Sequence, residues 1–283
     1  MKLITWNIQW GCGVDGRVDL DRIVATAGAM ADFDVLCLQE VAVGYPELQG
    51  ADGRDQFAAL AARLPGYTAV AGVATDAPGP HGDRRAFGNM ILSCLPVLQV
   101  FRHLLPWPAD PGRASMQRMA LEVTLDAPAG PLRVLTTHLE YYSRVQRAAQ
   151  VERLRDLQRE AVSHARHPRA EGPERGPFAQ LPRGGPAVLC GDFNCRPDVA
   201  ERLRLLEAFG DDTPAWVDAW ALAHPGQPHA PTVGVHDRVQ WASPRTFDYM
   251  IVSDDLAPRV AGVHVDGATA ASDHQPMLLT LHD

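Results

Sequence analysis

PAVLCGDFN, residues 186–194, is the stretch on which the reading of this chain turns. Its first half is a short apolar run, the pattern of a buried strand. Its second half stops at Gly191 and presents Asp192 and Asn194 two residues apart. Taken alone, Gly, Asp and Asn are residues that turns prefer. The other strand-like runs change that reading, because they too begin or end in polar side chains. Residues 2–8 (KLITWNI) carry Asn7, residues 34–40 (DVLCLQE) end in Glu40, and residues 132–140 (LRVLTTHLE) pass into His138. Residues 89–97 (NMILSCLPV) open on Asn89, and residues 119–125 (MALEVTL) follow Arg118. Residues 247–253 (FDYMIVS) carry Asp248, and Asp273 and His274 stand just ahead of the run 276–281 (PMLLTL). Each polar residue alone reads as a turn, a solvated charge or a satisfied core side chain. The whole set arriving at strand ends points to one site.

Helical patterns lie between these runs. Residues 20–30 follow Asp19, a natural N-cap, and residues 55–64 stop before the turn signal Pro65-Gly66. Residues 144–166 are amphipathic, with Val151, Leu154, Leu157 and Ala161 at helical spacing, and residues 198–209 form a further candidate helix ahead of Gly210. Alternating strands and helices predict an α/β or α+β layered fold. Residues 167–185 are rich in Pro, Gly and Arg; they are read as a surface loop within a single domain spanning 1–283, because the polar strand ends on either side serve one site. Residues 76–88, 102–118 and 224–246 are read as loops as well.

Composition narrows the function classes. At 46% hydrophobic and 21% charged, the chain is an ordinary globular protein with ample core. No apolar run is long enough to span a membrane, and residues 3–8 are too short for the apolar core of a secretion signal. The five cysteines form no Cys-x-x-Cys pair, so they read as reduced thiols, and a cytoplasmic location is expected. The net charge of −8 tilts the expected substrate away from duplex DNA, toward a small or single-stranded one. Lys2 is the only lysine among 26 basic residues, a bias that forbids reading any arginine as a phosphate clamp on its type alone.

In chain order the motifs TWNIQWG, LQE, THLEYYS, GDFN, FDYM and SDHQP resemble the endonuclease/exonuclease/phosphatase superfamily of DNase I-like, metal-dependent phosphoesterases. The resemblance runs from Asn7 to His274. It implies an α/β four-layer sandwich, two packed mixed β-sheets flanked by helices. It implies a Mg²⁺ or Mn²⁺ cofactor held mainly by Glu40, with Asn7 and Asp273, hard oxygen donors such as these cations take. Asp192 matches the residue that activates the attacking water, its carboxylate ionised at neutral pH. Asn194 is expected to donate its amide to a phosphate oxygen, and His274, backed by Asp248, to carry a positive charge there. His138 matches a second phosphate-side histidine.

Asn89, Arg118, Arg144 and Arg147 are further candidates for substrate contact, although Arg144 and Arg147 read more readily as exposed helix charges. Tyr141 and Tyr142 either line the pocket or pack. The short HLEYYS stretch with a following Arg-x-x-Gln resembles the broad bacterial branch of the superfamily. The expected partner is a phosphoester, small molecule or nucleic acid, with the oligomeric state open. Alternatives are a DNA-repair endo- or exonuclease, whose DNA-intercalating loop pattern is not seen, and a non-catalytic member that binds phosphate or nucleic acid.

Overall fold

In the first third of the chain, β1 (Lys2–Asn7) is followed by α1 (Leu20–Met30), which returns the chain into β2 (Val35–Val43), parallel to β1 with Asn7 opposite Gln39. The computed structural model describes residues 1–80, 82–169, 172 and 176–282. Asp19 caps α1 as its sequence predicts, its side chain accepting from the Arg22 N–H at 3.0 Å. Next come α2 (Gln56–Arg63), capped by Asp55, and a hairpin of β3 (Thr68–Pro78) and β4 (Arg84–Ser93). Then β5 (Val97–Leu104), β6 (Met119–Ala127) and β7 (Gly130–His138) run as an antiparallel meander. The long α3 (Arg144–Arg166) carries the chain to β8 (Ala187–Asp192), parallel to β7. After α4 (Ala200–Leu206), β9 (Trp216–Asp218) and α5 (Ala219–Ala223), the chain finishes with β10 (Asp248–Ser253), β11 (Val260–Val265) and β12 (Met277–Leu281).

These strands make two six-stranded sheets, ordered β11-β12-β1-β2-β4-β3 and β5-β6-β7-β8-β10-β9. Each is mixed, with one parallel pair at its centre, created by the β1–α1–β2 and β7–α3–β8 crossovers. The period of two along each strand sorts the core into layers. Leu3, Val35, Cys37 and Leu279 of the first sheet meet Leu121, Val134, Val188 and Met250 of the second in the central core. Ile4, Trp6, Leu36 and Leu38 face outward onto Leu20, Ile23 and Leu60 of α1 and α2. Leu135, Leu189 and Ile251 face outward onto Val151, Leu154 and Leu157 of α3. This is the expected four-layer sandwich.

Several local expectations are corrected. Residues 89–97 do not form one strand: β4 ends at Ser93, and the chain turns through Cys94, Leu95 and Pro96 into β5. The supposed loop 76–88 is largely the β3–β4 hairpin, with His81 outside the described residues, and 102–104 belong to β5. The helix expected over 198–209 is confined to 200–206. Of the loop 167–185, residues 170, 171 and 173–175 lie outside the described residues; residues 167–169, 172 and 176–185 belong to no helix or strand. Strands β3, β5, β9 and β11 escape the sequence because they lie at or beside sheet edges, where alternation with solvent replaces a continuous apolar run.

Candidate active site

Both parallel pairs point their carboxyl ends the same way, and every strand-end residue singled out by the sequence, other than Arg144 and Arg147, is carried there. β8 sits between β7 and β10 so that Asp192 is in register with His138 on one side and Asp248 on the other. Gly191 is required at this point. Its φ is +127°, and a Cβ would lie 2.0 Å from the Thr137 carbonyl oxygen. The glycine of GDFN therefore lets β7 and β8 close together just before the acid emerges. Across the interface, Asn7 at the end of β1 donates to Glu40 Oε1 at 2.9 Å and to Asp192 Oδ2 at 3.0 Å, joining the two sheets.

Glu40 is presented by a bulge. Pairing of β2 with β4 slips between Leu38 and Val41, and Glu40 takes φ +61° there. A left-handed, non-glycine residue in a strand is costly and persists where the surroundings demand it. Asn194 is likewise left-handed, φ +50°, a conformation asparagine tolerates; its backbone N–H donates to Asp192 Oδ1 at 2.8 Å.

The electrostatics divide the two histidines. His274 Nδ1 lies 2.8 Å from Asp248 Oδ2, and its Nε2 lies 3.7 Å from Asp192 Oδ2. Burial disfavours its cation, but Asp248, Asp273 and Asp192 outweigh burial and raise its pKa well above the ordinary imidazole range. His138, 3.5 Å from Asp192 Oδ2, goes the other way: burial, with the positive charges of Arg118 and His274, keeps it neutral. Burial lifts the Asp192 carboxyl to about 7; His274 and the hydrogen bonds from Asn194 and Asn7 restrain it, and Asp248 adds to the rise. Glu40 is raised by burial and by Asp273.

Which atoms could hold a metal follows from the donor set. Glu40, His138 and Asp192 bring one ligand-capable atom each within 4.8 Å of one another, as do Asp192, Asp248 and His274. The second trio does not suit a cation, since His274 is protonated and its Nδ1 is engaged by Asp248. The first does suit one: its carboxylates are hard oxygen donors, and Glu40 is further pressed by the charge of Asp273. Asn7 links the two sheets through its amide. Its oxygen accepts from the Gln9 N–H at 3.1 Å and its amide nitrogen donates to both carboxylates, which holds Glu40 and Asp192 together.

The remaining candidates separate cleanly. Asn89 and Arg118 are buried and line a small cleft with His138. Arg118 Nε donates to Glu140 Oε2 at 3.2 Å, and its Nη1 is buried without a hydrogen-bond partner. Arg144 and Arg147 are not brought to this cluster: both pair with Glu201, and Arg147 Nη1 also donates to the carbonyl oxygens of Glu140 and Tyr141. Arg147 is buried rather than an exposed helix charge. Asn194 Nδ2 already donates to the Leu139 carbonyl at 2.9 Å, so only its second amide hydrogen is free for the expected role.

Sequence reasoning missed three supports. Glu140, part of THLEYYS, grips Arg118 from below. Trp241 donates Nε1–H to Asp273 Oδ2 at 3.2 Å from a stretch that reads as featureless loop. Gln39 is buried between the sheets, donating to Thr5 and Thr136 hydroxyls at 3.1 and 2.8 Å. Glu140, two residues after His138, and Gln39, beside Glu40, lay inside quoted motifs; Trp241 left no signal.

A two-sheet sandwich with carboxylates and histidines converging at one sheet edge is the DNase I-like architecture. The chain belongs to the Endonuclease/Exonuclease/phosphatase family, whose model matches residues 4–274. Solved structures agree in fold. An endonuclease/exonuclease/phosphatase from Beutenbergia cavernae is 25% identical with a TM-score of 0.65, covering 99% of this chain and 71% of its own. A mannosyl-6-phosphatase from Bacteroides thetaiotaomicron is 16% identical with a TM-score of 0.68 over 100% of both chains. Truncated Caenorhabditis elegans TDP2 is 20% identical with a TM-score of 0.61, over 100% of this chain and 97% of its own. No curated protein matches the chain. No helix among the described residues is long and apolar enough to cross a membrane.

Proposed function

We propose that residues 1–283 form one catalytic domain that hydrolyses a phosphoester by in-line attack of water, with Mg²⁺ or Mn²⁺ held mainly by Glu40, helped by the carboxylate of Asp273. A hard divalent cation there would neutralise phosphoryl charge and polarise the phosphorus toward attack. Asp192 takes the proton of the attacking water; a carboxyl near 7 is matched to that task at neutral pH. His274, positive and fixed by Asp248, stabilises charge building on the transferring group or the leaving oxygen. Neutral His138 and the free amide hydrogen of Asn194 supply further donors. Arg118 offers its unpartnered Nη1 to a phosphate oxygen beside Asn89, a charge-assisted bond. The observation that carries this reading is the register of β7, β8 and β10, which sets Asp192 between His138 and the His274-backing Asp248. The HLEYYS stretch with its following Arg-x-x-Gln supports the broad bacterial branch, and the five free cysteines support the cytoplasm.

The test is hydrolysis of bis-p-nitrophenyl phosphate, p-nitrophenyl phosphate and supercoiled plasmid with each metal, beside EDTA and Asp192→Asn controls. Loss of a general base predicts that kcat falls about 10²- to 10⁴-fold in the variant. Unchanged turnover in Asp192→Asn refutes the mechanism. A folded wild-type protein that cleaves none of the three directs the search to sugar phosphates and lipid head groups, and failure on those as well favours a binding member of the family.

A further inference from the structure

Of the four non-glycine residues with left-handed backbone among the described residues, three belong to two segments beside Asn7 and Glu40. Gln9 and Trp10 (both φ +45°) follow Asn7 closely, and the third is Glu40 itself (φ +61°). Such residues cost energy and persist only where the surroundings dictate them. Both segments act on the same pair of side chains. In the turn Gln9–Gly11, the Gln9 backbone N–H donates to Asn7 Oδ1 at 3.1 Å, which decides where the Asn7 amide nitrogen points. That nitrogen donates to Glu40 Oε1 at 2.9 Å, and Glu40 rides the bulge between Leu38 and Val41. A single side chain, Gln56 at the start of α2, ties the turn to the bulge. Gln56 is only 3% exposed. Its Nε2 donates to the Trp10 carbonyl at 2.8 Å, and its Oε1 accepts from the Ala42 N–H at 3.1 Å, two residues past Glu40.

The amide gives one hydrogen bond to the turn and takes one from the bulge, a pairing that needs a donor and an acceptor on one side chain. The helix itself does not call for it. Asp55 caps α2 by accepting from the Ala58 N–H at 3.0 Å, and Leu60 packs the helix onto the first sheet. We propose that Gln56 is a positioning residue, which locks the Gln9–Gly11 turn against the Glu40 bulge and so holds Glu40 and Asn7 in the arrangement that receives a divalent cation. The proposal rests on the reading of Glu40 as the main metal ligand. Gln56 contacts neither Asn7 nor Glu40 by a hydrogen bond of its own; it acts on both through the backbone that presents them. Groups that orient metal ligands from behind typically carry about 10- to 100-fold of the metal affinity.

The experiment measures Mn²⁺ affinity by electron paramagnetic resonance, which counts free Mn²⁺ without any turnover, alongside the Tm of each metal-free protein. Gln56→Met keeps nearly the same volume and loses both hydrogen bonds. Gln56→Asn keeps the amide but is one methylene too short to reach both partners. Each variant binds Mn²⁺ about 10- to 100-fold more weakly. The Mn²⁺ concentration for half-maximal hydrolysis of bis-p-nitrophenyl phosphate rises by the same factor, while kcat returns at saturating Mn²⁺. Leu60→Ala, one turn further along α2, lowers the Tm and leaves Mn²⁺ affinity unchanged, which separates positioning from general loosening of the helix. Wild-type affinity in either folded Gln56 variant overturns the proposal, and so does an equal loss of affinity in Leu60→Ala. A fall in kcat that excess Mn²⁺ does not restore also overturns it. If the wild type binds Mn²⁺ but cleaves no phosphoester, the affinity comparison still decides the role of Gln56 and only the phosphoesterase reading falls. If the wild type binds no Mn²⁺, the proposal falls with the metal site.

Discussion

Acidification of the wild type and of Glu122→Gln probes the most heavily charged knot in the second sheet. Glu122 on β6 is fully buried and receives Arg133 Nε at 2.8 Å, Arg183 Nη2 at 3.0 Å and a nitrogen of His103 at 2.9 Å. Arg133 in turn donates to Gln158 at 2.7 Å, which ties α3 onto the sheet. Burial alone would raise the Glu122 carboxyl, but His103, Arg133 and Arg183 together lower it from 4.5 to about 2. A carboxyl depressed in the folded state stabilises above its unfolded value, and the gain drains away as pH falls through that value toward the folded one. Linkage makes the gain roughly 3 kcal/mol at neutral pH, with roughly 2 kcal/mol of it lost between about pH 5 and about pH 3. Urea unfolding followed by tryptophan fluorescence measures this directly. Glu122→Gln starts roughly 3–5 kcal/mol less stable, because it leaves buried guanidinium groups unpaired, and its stability falls less steeply over the same acid range. Identical slopes for wild type and variant would refute the assigned role of this carboxylate.

Two further outcomes follow from the site. Asp248 is the main influence raising His274, so Asp248→Asn should lower the histidine's pKa. A group raised in the folded state delivers its charge below the folded pKa and loses it above, so the alkaline limb of the kcat/KM profile moves to lower pH by about one unit or more; an unmoved limb rejects His274 as the cation. Removal and return of metal should change stability, since Glu40 is strained by burial and by Asp273. At about 100 times its dissociation constant, Mg²⁺ or Mn²⁺ adds about 2.7 kcal/mol, seen as a rise in Tm that Glu40→Gln abolishes; a wild-type Tm indifferent to both ions excludes a site there.

The sequence by itself determined the central strands and the residues they deliver. Fully buried strands need unbroken apolar runs, so β1, β2, β6, β7, β8, β10 and β12 are visible as such, and a polar residue at the end of such a run is conspicuous. Asp192, His138, Glu40, Asp248, Asp273 and His274 were legible for that reason, and α1 showed its cap and α3 its apolar face through local hydrogen bonding and period. Edge strands such as β3, β5 and β11 were not legible, because their partners, not their own residues, make them strands. Tertiary structure alone decided what the gathered groups became. One burial environment leaves His138 neutral and His274 charged, because only His274 is aligned with Asp248. Arg147, one helical turn into α3, was drawn inward by Glu201, and Arg118 was left with an unpartnered nitrogen beside His138. A side chain's charge state and free valence depend on neighbours well outside any local window, 26 residues away for His274 and Asp248 and 54 for Arg147 and Glu201, and no local pattern records them.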